Sequence, residues 1–396
     1  MTAPSRKETA PGRADGGPAA EKSAFSQGGI SMKNLMWLAC SAAVLGACSS
    51  DPGSSAAMKG SAASSCCAQE KAAAKDDSCC PSAADRQQIP AKEYLKPADS
   101  RTFAIEYVGK VSDIPAGTKK LRVWMPVPED STVQTIRNLS FSRKPDKIER
   151  EPKYANKIAY WEIENPGAAV DLTMKFECTR LEILTNLEAL REDGQDPEGS
   201  FAVFRKEDRL VTIDDEIRSI AARLTQGKSS TLAKARAIYD YVLEKMTYDK
   251  NHVGWGRGST RHACEVGKGN CTDFHALFNS LCRAAGIASG FEIGLYLPYE
   301  KGKIEPPGGY HCWAFFRVPG KTWVPVDASE ADRFPERREY FFGNHTSNRV
   351  TLSTGRDIVL EPRQAGEPLN YFLNPYAEAD GKPVKTDKTW SYRDLN

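Results

Sequence analysis

Between residues 101 and 185 the large apolar side chains fall on alternate positions. Phe103, Ile105 and Tyr107 are separated by smaller or polar neighbours, and Leu172-Thr173-Met174-Lys175-Phe176-Glu177-Cys178 repeats the same period of two. That period turns one face of a strand inward, so Cys178 is expected in a core as a small hydrophobe. Leu121, Val123, Trp124 and Met125, running into Pro126-Val127-Pro128, and the stretch from Ile158 to Ile163 add further strands between Pro and Gly turns. Several short strands with no strong helix predict a β-sandwich over 101–185.

Residues 186–204 carry Asp193-Gly194 and Pro197-Glu198-Gly199 and read as a linker, after which the period changes. Ile213 to Leu224 is a predicted helix. Leu232, Ala235, Ile238, Tyr239, Val242, Leu243 and Met246 follow the i, i+3, i+4, i+7 pattern of an amphipathic helix, opened by Ser229-Ser230-Thr231 as capping residues. A Gly-rich segment, 254–269, leads into a third helix from Cys271 to Ala285, with Phe274, Leu277, Phe278 and Leu281 on one face and Gly286 as its stop. Strands are then predicted at Phe291–Leu297, His311–Val318 and Thr322–Val326, with turns at Pro306-Pro307-Gly308-Gly309 and Pro319-Gly320. Helices followed by antiparallel strands make an α+β domain, assigned to 205–396.

The N-terminal hundred residues do not follow either period. Residues 1–31 are rich in Ala, Gly, Pro and Ser and have too few large apolar groups for a core. Met32 and Lys33 then precede an apolar run from Leu35 to Leu45, too short to span a bilayer, that ends in Leu45-Gly46-Ala47-Cys48. This segment, 32–48, resembles a bacterial lipoprotein signal. The resemblance implies lipidation of Cys48, a natural start at Met32 and residues 1–31 as an upstream extension. Ser49 after the cysteine points to the outer membrane, facing the periplasm.

Residues 49–100 form a Ser/Ala/Lys-rich tether. Two of the chain's eleven cysteines, Cys40 and Cys48, belong to the signal, and the vicinal pairs Cys66-Cys67 and Cys79-Cys80 lie in the tether. Cross-linking is the expected state of exported cysteines. Metal capture by these four thiols is the alternative, but pairs twelve residues apart without a nearby histidine match no zinc spacing. Over 396 residues the net charge is only +2, and no basic run is interleaved with aromatics, which sets nucleic-acid binding aside.

The chemistry concentrates in Gly269-Asn270-Cys271-Thr272-Asp273-Phe274-His275, then Tyr310-His311-Cys312-Trp313, then Pro325-Val326-Asp327. Cys271 falls in the first turn of its helix with Asn270 as cap, where unpaired N–H groups and the helix dipole favour a thiolate and can receive an oxyanion. His311 and Asp327 sit on two strands joined by a short turn, so that the carboxylate can orient the imidazole and the imidazole can exchange the thiol proton. A buried structural cysteine and a satisfied structural histidine are the plainer readings. The polar surroundings of Cys271 speak against the first. His275, four residues after Cys271 on the same helical face, is read as a packing or hydrogen-bonding neighbour, since no second local pair completes a metal site. Cys282 reads as structural. Cys312, neighbouring His311 on a strand, should point to the opposite face and belong to the core.

In that order the motifs, with Leu281-Cys282-Arg283-Ala284-Ala285-Gly286-Ile287 and Trp323-Val324-Pro325-Val326-Asp327-Ala328-Ser329, resemble the core of the transglutaminase-like superfamily, and more narrowly its bacterial, exported members. Gly355-Arg356-Asp357-Ile358 and Asn370-Tyr371-Phe372 are similar to the tail of that subgroup. The resemblance implies a papain-like α+β core with Cys271, His311 and Asp327 as a triad acting on amide bonds through a thioester, with no metal or other cofactor. It implies peptide or protein substrates, hydrolysis being favoured over glutamine–lysine cross-linking. Family members often place an aromatic or amide side chain upstream of the cysteine as oxyanion donor, and Trp255 and Tyr248 are the candidates. Two other classes stay open from the sequence: a non-catalytic surface protein that uses the fold to bind peptide or wall polymer, and a thiol metal-binding lipoprotein.

Overall fold

Alternation of apolar and polar residues builds two antiparallel sheets from the N-terminal strands. The computed structural model describes residues 90–298 and 309–395. The signal segment with Cys48, the upstream extension, the four tether cysteines and the turn at 306–308 lie outside them. In the first sheet Ser100–Val111 pairs with Val170–Leu181, which pairs with Gln134–Phe141. In the second, Lys120–Pro126 pairs with Lys157–Glu164, which pairs with Lys147–Arg150. Phe103, Ile105, Tyr107 and Cys178 of the first face Leu121, Val123, Met125 and Trp161 of the second in one buried cluster. Sequestering these side chains supplies the main drive for the sandwich.

Three long helices follow, Asp215–Thr225 capped by Asp214, Thr231–Lys245 capped by Ser230 and Cys271–Ala284 capped by Asn270, with the short helix Thr260–Val266 before the last. A four-stranded antiparallel sheet runs in the order Trp323–Val326, Tyr310–Arg317, Ser289–Tyr296, Arg349–Thr354. Phe274, Leu277, Phe278 and Leu281 of the Cys271 helix bury against Ala314, Phe316, Val324 and Val326 of this sheet and against Ile238 and Val242 of the preceding long helix. Gly286 ends the Cys271 helix in a left-handed conformation, φ +78°, that an L side chain rarely adopts. The result is the expected α+β architecture, helices on an antiparallel sheet preceded by β layers.

Three boundaries differ from the sequence reading. The chain's last strands do not finish the α+β part: Tyr376–Ala379 pairs with Lys120–Pro126, and Thr386–Asp394 pairs with Ser100–Val111 along its length. The sandwich is thus closed by residues from both ends of the chain. Residues 186–204 are no free linker, because Leu190 and Phe204 are fully buried, Asp193 accepts from Thr231 N at 3.0 Å at a helix start, and Asp196 pairs with Arg317 at 2.9 Å. Nor does the tether reach residue 100. Ala91 N donates to Thr322 Oγ1 at 2.7 Å and Lys96 N to the Leu184 carbonyl at 2.8 Å, so this stretch is pinned to both the α+β part and the end of the β layers. Among the described residues no helix is long and apolar enough to cross a membrane.

Candidate active site

The site begins at the N-terminus of the Cys271 helix. Asn270 accepts from Thr272 N at 2.9 Å, while Asp273 accepts from Asn270 N at 3.0 Å, a reciprocal cap that satisfies two helix-end donors. The same Asp273 carboxylate accepts from Gly256 N at 2.6 Å and Gly258 N at 2.8 Å. One carboxylate therefore ties the glycine loop across the start of the helix. Arg356 holds the loop from the other side, donating through Nη2 to the carbonyls of Arg257 and Gly258 and through Nε to Asn370 Oδ1, each at 3.0 Å. Gly258 has φ +65°, and a Cβ there would come within 2.5 Å of Arg356 Nη1. The tail motifs around Arg356 and Asn370 thus buttress the loop that leads to the cysteine.

Cys271, the first residue of the helix, is only 2% exposed. Its thiolate is favoured by the neighbouring side chains of Cys312 and His311 and by the Cys312 backbone. His311 Nε2 lies 2.6 Å from Asp327 Oδ2, which leaves Nδ1 as the ring nitrogen for the sulfur. Strand Trp323–Val326 ends opposite Ala314, so Asp327 meets His311 along the diagonal of the ladder rather than directly across it. Asp327 is fully buried and also accepts from Arg349 Nη1, Ser329 Oγ and Glu330 N, each at 3.0 Å. It doubles as N-cap of the short helix Ala328–Arg333.

These contacts fix the protonation states. Burial alone would raise the Cys271 thiol, but the bonds from Cys312 and His311 and the charge of His311 outweigh it and hold it at about 5. Burial would lower His311, yet the adjacent Asp327 carboxylate and the Cys271 sulfur raise it to about 10. Against its burial, Asp327 is held well below the usual carboxylate range by His311, Arg349 and His275. At neutral pH the pair rests as thiolate and imidazolium, a state suited to attack on a carbonyl.

The remaining predicted residues divide. Asn270 caps as expected, and its Nδ2 donates to the Tyr310 hydroxyl at 3.0 Å. His275 is fully buried, between Cys312 and Asp327. Of the two oxyanion candidates, Tyr248 is half-buried, and its phenol is raised by burial and then by the charge of Cys271. Trp255 stands 37% exposed on the glycine loop, with Lys250 Nζ 5.7 Å from its ring centre. Cys312 is buried as expected. The face opposite His311 is the one the Cys271 helix covers, and the Cys312 sulfur lies 3.7 Å from His275 Nδ1 of that helix rather than in a remote core. Sequence reasoning missed Arg349, fully buried against Asp327 with its guanidinium 4.9 Å above the Trp313 ring. It also missed Tyr310, and Tyr296, whose ring edge meets His311 at 5.6 Å. Asp327-Ala328-Ser329-Glu330 carries a helix-start signature that could have doubled the case for Asp327. Among the described residues no group of three or more His, Cys, Asp or Glu is arranged to hold a metal ion.

An uncharacterized protein of Haemophilus influenzae is 26% identical over a 313-residue alignment that covers 69% of this chain and 85% of the relative. The crystal structure of a candidate cysteine protease from Cytophaga hutchinsonii superposes with a TM-score of 0.52 at 16% identity, covering 76% of this chain and 92% of that one, a likeness of fold. The periplasmic domain of TgpA from Pseudomonas aeruginosa matches more distantly, with a TM-score of 0.34 at 14% identity over 64% of this chain and 95% of that one. Residues 218–328, which hold Cys271, His311 and Asp327, match the family model of the transglutaminase-like superfamily, and the chain carries that superfamily's core.

Proposed function

We propose that this protein is a cysteine enzyme of the cell envelope that opens peptide or isopeptide amide bonds through a thioester on Cys271. The observation that carries the reading is His311, bonded at 2.6 Å to a buried, charged Asp327 and raised further by the neighbouring Cys271 sulfur. The Cys271 thiolate attacks the amide carbon, and the oxyanion is received by backbone N–H groups at the helix start, with the Tyr248 hydroxyl as side-chain donor. His311 gives its proton to the leaving nitrogen, and Asp327 keeps the ring oriented. Water, deprotonated by His311, then attacks the thioester and the thiolate departs. Water is favoured over an amine because bacterial relatives of this kind are often hydrolases, and the Cytophaga hutchinsonii protein of the same fold is described as a candidate cysteine protease.

The segment ending at Cys48 supports lipidation there and an outer-membrane position facing the periplasm. Metabolic labelling with a fatty acid is expected to mark the wild type and to miss Cys48→Ser. The activity is tested by mass spectrometry of peptide libraries incubated with wild type and Cys271→Ala, scoring cleavage against amine incorporation. Cleavage by the wild type alone is expected. Amine incorporation without cleavage makes the enzyme a cross-linker, and neither product leaves a peptide-binding protein in its place.

A further inference from the structure

The face of strand Tyr310–Arg317 that carries His311 continues through Trp313 and Phe315. These two rings line a cavity of about 60 Å³ with no residue of the Cys271 helix in its wall. Both parts of the molecule build it. Gln134 and Arg180 come from the first β sheet, and Glu292, Trp313 and Thr351 from the α+β sheet. His345 comes from the short strand Asn344–His345. Clefts between such parts are a preferred place for small ligands.

Two buried side chains on this wall carry nitrogens with no hydrogen-bond partner. Arg180 is 2% exposed and donates through Nη1 to Gln134 Oε1 and Thr351 Oγ1, both at 3.3 Å. Both acceptors are neutral, and among the described residues Arg180 forms no ion pair. Its Nε has no partner, and Nη2 makes no hydrogen bond among the described residues. Nε and Nη2 form the side-on edge of the guanidinium, which can take a carboxylate through two parallel N–H···O bonds. His345 is fully buried, and neither of its ring nitrogens has a partner. Its ring stands edge to face with Trp313, centres 5.9 Å apart.

The carboxylates nearby do not neutralise Arg180. Glu292 Oε2 accepts from Trp313 Nε1 at 2.6 Å, and Asp130 Oδ1, on the same cavity, accepts from Ile136 N at 2.6 Å. Burial outweighs the charge of Glu292 and lowers the guanidinium to about 10. A buried charge without a close counter-ion is costly, and an anion on the free edge relieves that cost.

We propose that this cavity binds a small carboxylate anion, of formate or acetate size, on the Nε–Nη2 edge of Arg180, with His345 as a further contact. The volume sets the size. At about 15 Å³ for each water there is room for about four waters, or for one carboxylate with a short tail. Arg180 belongs to the β layers, whereas Trp313, Thr351 and His345 belong to the α+β part, so the anion ties the two together. The β layers thereby gain a task of their own, and the site stands apart from the chemistry of Cys271.

The test is equilibrium dialysis of the full-length protein against radiolabelled acetate at constant ionic strength. Saturable uptake approaching one acetate per chain is expected, displaced by formate and not by chloride. Arg180→Met should weaken binding by about 30-fold or more, and Arg180→Lys, which keeps the charge without the fork, by about 10-fold. His345→Phe should weaken it by about 5-fold. Protein whose Cys271 has been alkylated with iodoacetamide should bind as untreated protein does. Competition by glycylglycine but not by its amide assigns the carboxylate to a peptide end, and competition by formate alone to a free acid; either supports the site. The proposal is overturned if folded wild type shows no saturable uptake, or if Arg180→Lys binds as wild type does. Loss of uptake on alkylation also overturns it, because the anion would then lie in the active cleft.

Discussion

The two cysteine–histidine pairs around Asp327 are built from the same groups and rest in opposite states. Cys271 is held at about 5 and His311 at about 10, so this pair is charged. Cys312 is raised and His275 is lowered to about 4, so that pair is neutral. Both histidines are buried, 5% exposed for His311 and 0% for His275, so burial alone does not separate them. The carboxylate does. His311 meets Asp327 Oδ2 at 2.6 Å, whereas His275 is 3.7 Å from Oδ1, an oxygen already engaged by Ser329 and by Glu330 N. The His275 contact is about one ångström longer, beyond hydrogen-bond range, and His275 lacks the thiolate that also raises His311, so it stays a neutral imidazole in a low-dielectric interior. Residue type therefore names the players, while the geometry around one carboxylate assigns their charges.

Removing the charged pair's sulfur should have the largest effect. Cys271→Ala is expected to abolish peptide turnover, a loss of about 1000-fold or more, in the library assay above. Asp327→Asn comes next and cuts at the comparison itself. Without the carboxylate charge His311 should fall toward its ordinary value and Cys271 should rise, moving the midpoint of iodoacetamide reactivity upward from about pH 5. Turnover should fall about 1000-fold. An unchanged midpoint would mean that the thiolate owes its stability to the helix start and not to the His311–Asp327 bond.

Much of this arrangement was legible beforehand, for identifiable reasons. Residues that bury on a fixed period announce their element, as the alternation at Phe103–Tyr107 and the spacing of Phe274, Leu277, Phe278 and Leu281 did. Strand Lys147–Arg150 is mostly exposed and carries no such period, so it escaped notice. Residues 186–204 have the Gly and Pro content of a linker, and the isolated Leu190 and Phe204 that anchor them form no pattern. Lys388, Trp390 and Tyr392 do alternate, but alternation says nothing about which strand is the partner, and here it is Ser100–Val111 at the other end of the chain. The same limit governs Cys312: period two gave its face correctly, and only the tertiary packing reveals that the Cys271 helix lies over that face. Arg349 was beyond reach because its partner Asp327 is 22 residues away in sequence and no local rule joins them.

Arg349 offers the next finer cut. Among the described residues it is the one guanidinium that donates directly to the shared carboxylate, and its charge, after that of His311, helps to keep Asp327 ionised in the interior. Arg349→Met should lower kcat/KM by about 10- to 100-fold, the size expected when an orienting partner is lost. It should also shift the Cys271 alkylation midpoint less than Asp327→Asn does. A loss of thermal stability with an unshifted midpoint would make the arginine a packing residue for Trp313 only.

The smallest expected effect belongs to the neutral pair and appears in stability. The folded-state value of His275 is below its unfolded value, so the protein gains stability from this group above about pH 6.5 and loses it as pH falls toward about 4, where the unfolded chain binds a proton that the folded one resists. His275→Gln removes that proton and should flatten this part of the stability curve, measured as the urea midpoint between pH 6.5 and 4. The charged pair has the opposite sign for its imidazole. The stabilisation from His311 is full below about pH 6.5 and fades as pH rises through about 10. A His275→Gln curve with the wild-type slope in the acid range would show that His275 binds protons equally in the folded and unfolded chain, and its neutral state would then contribute nothing to acid unfolding.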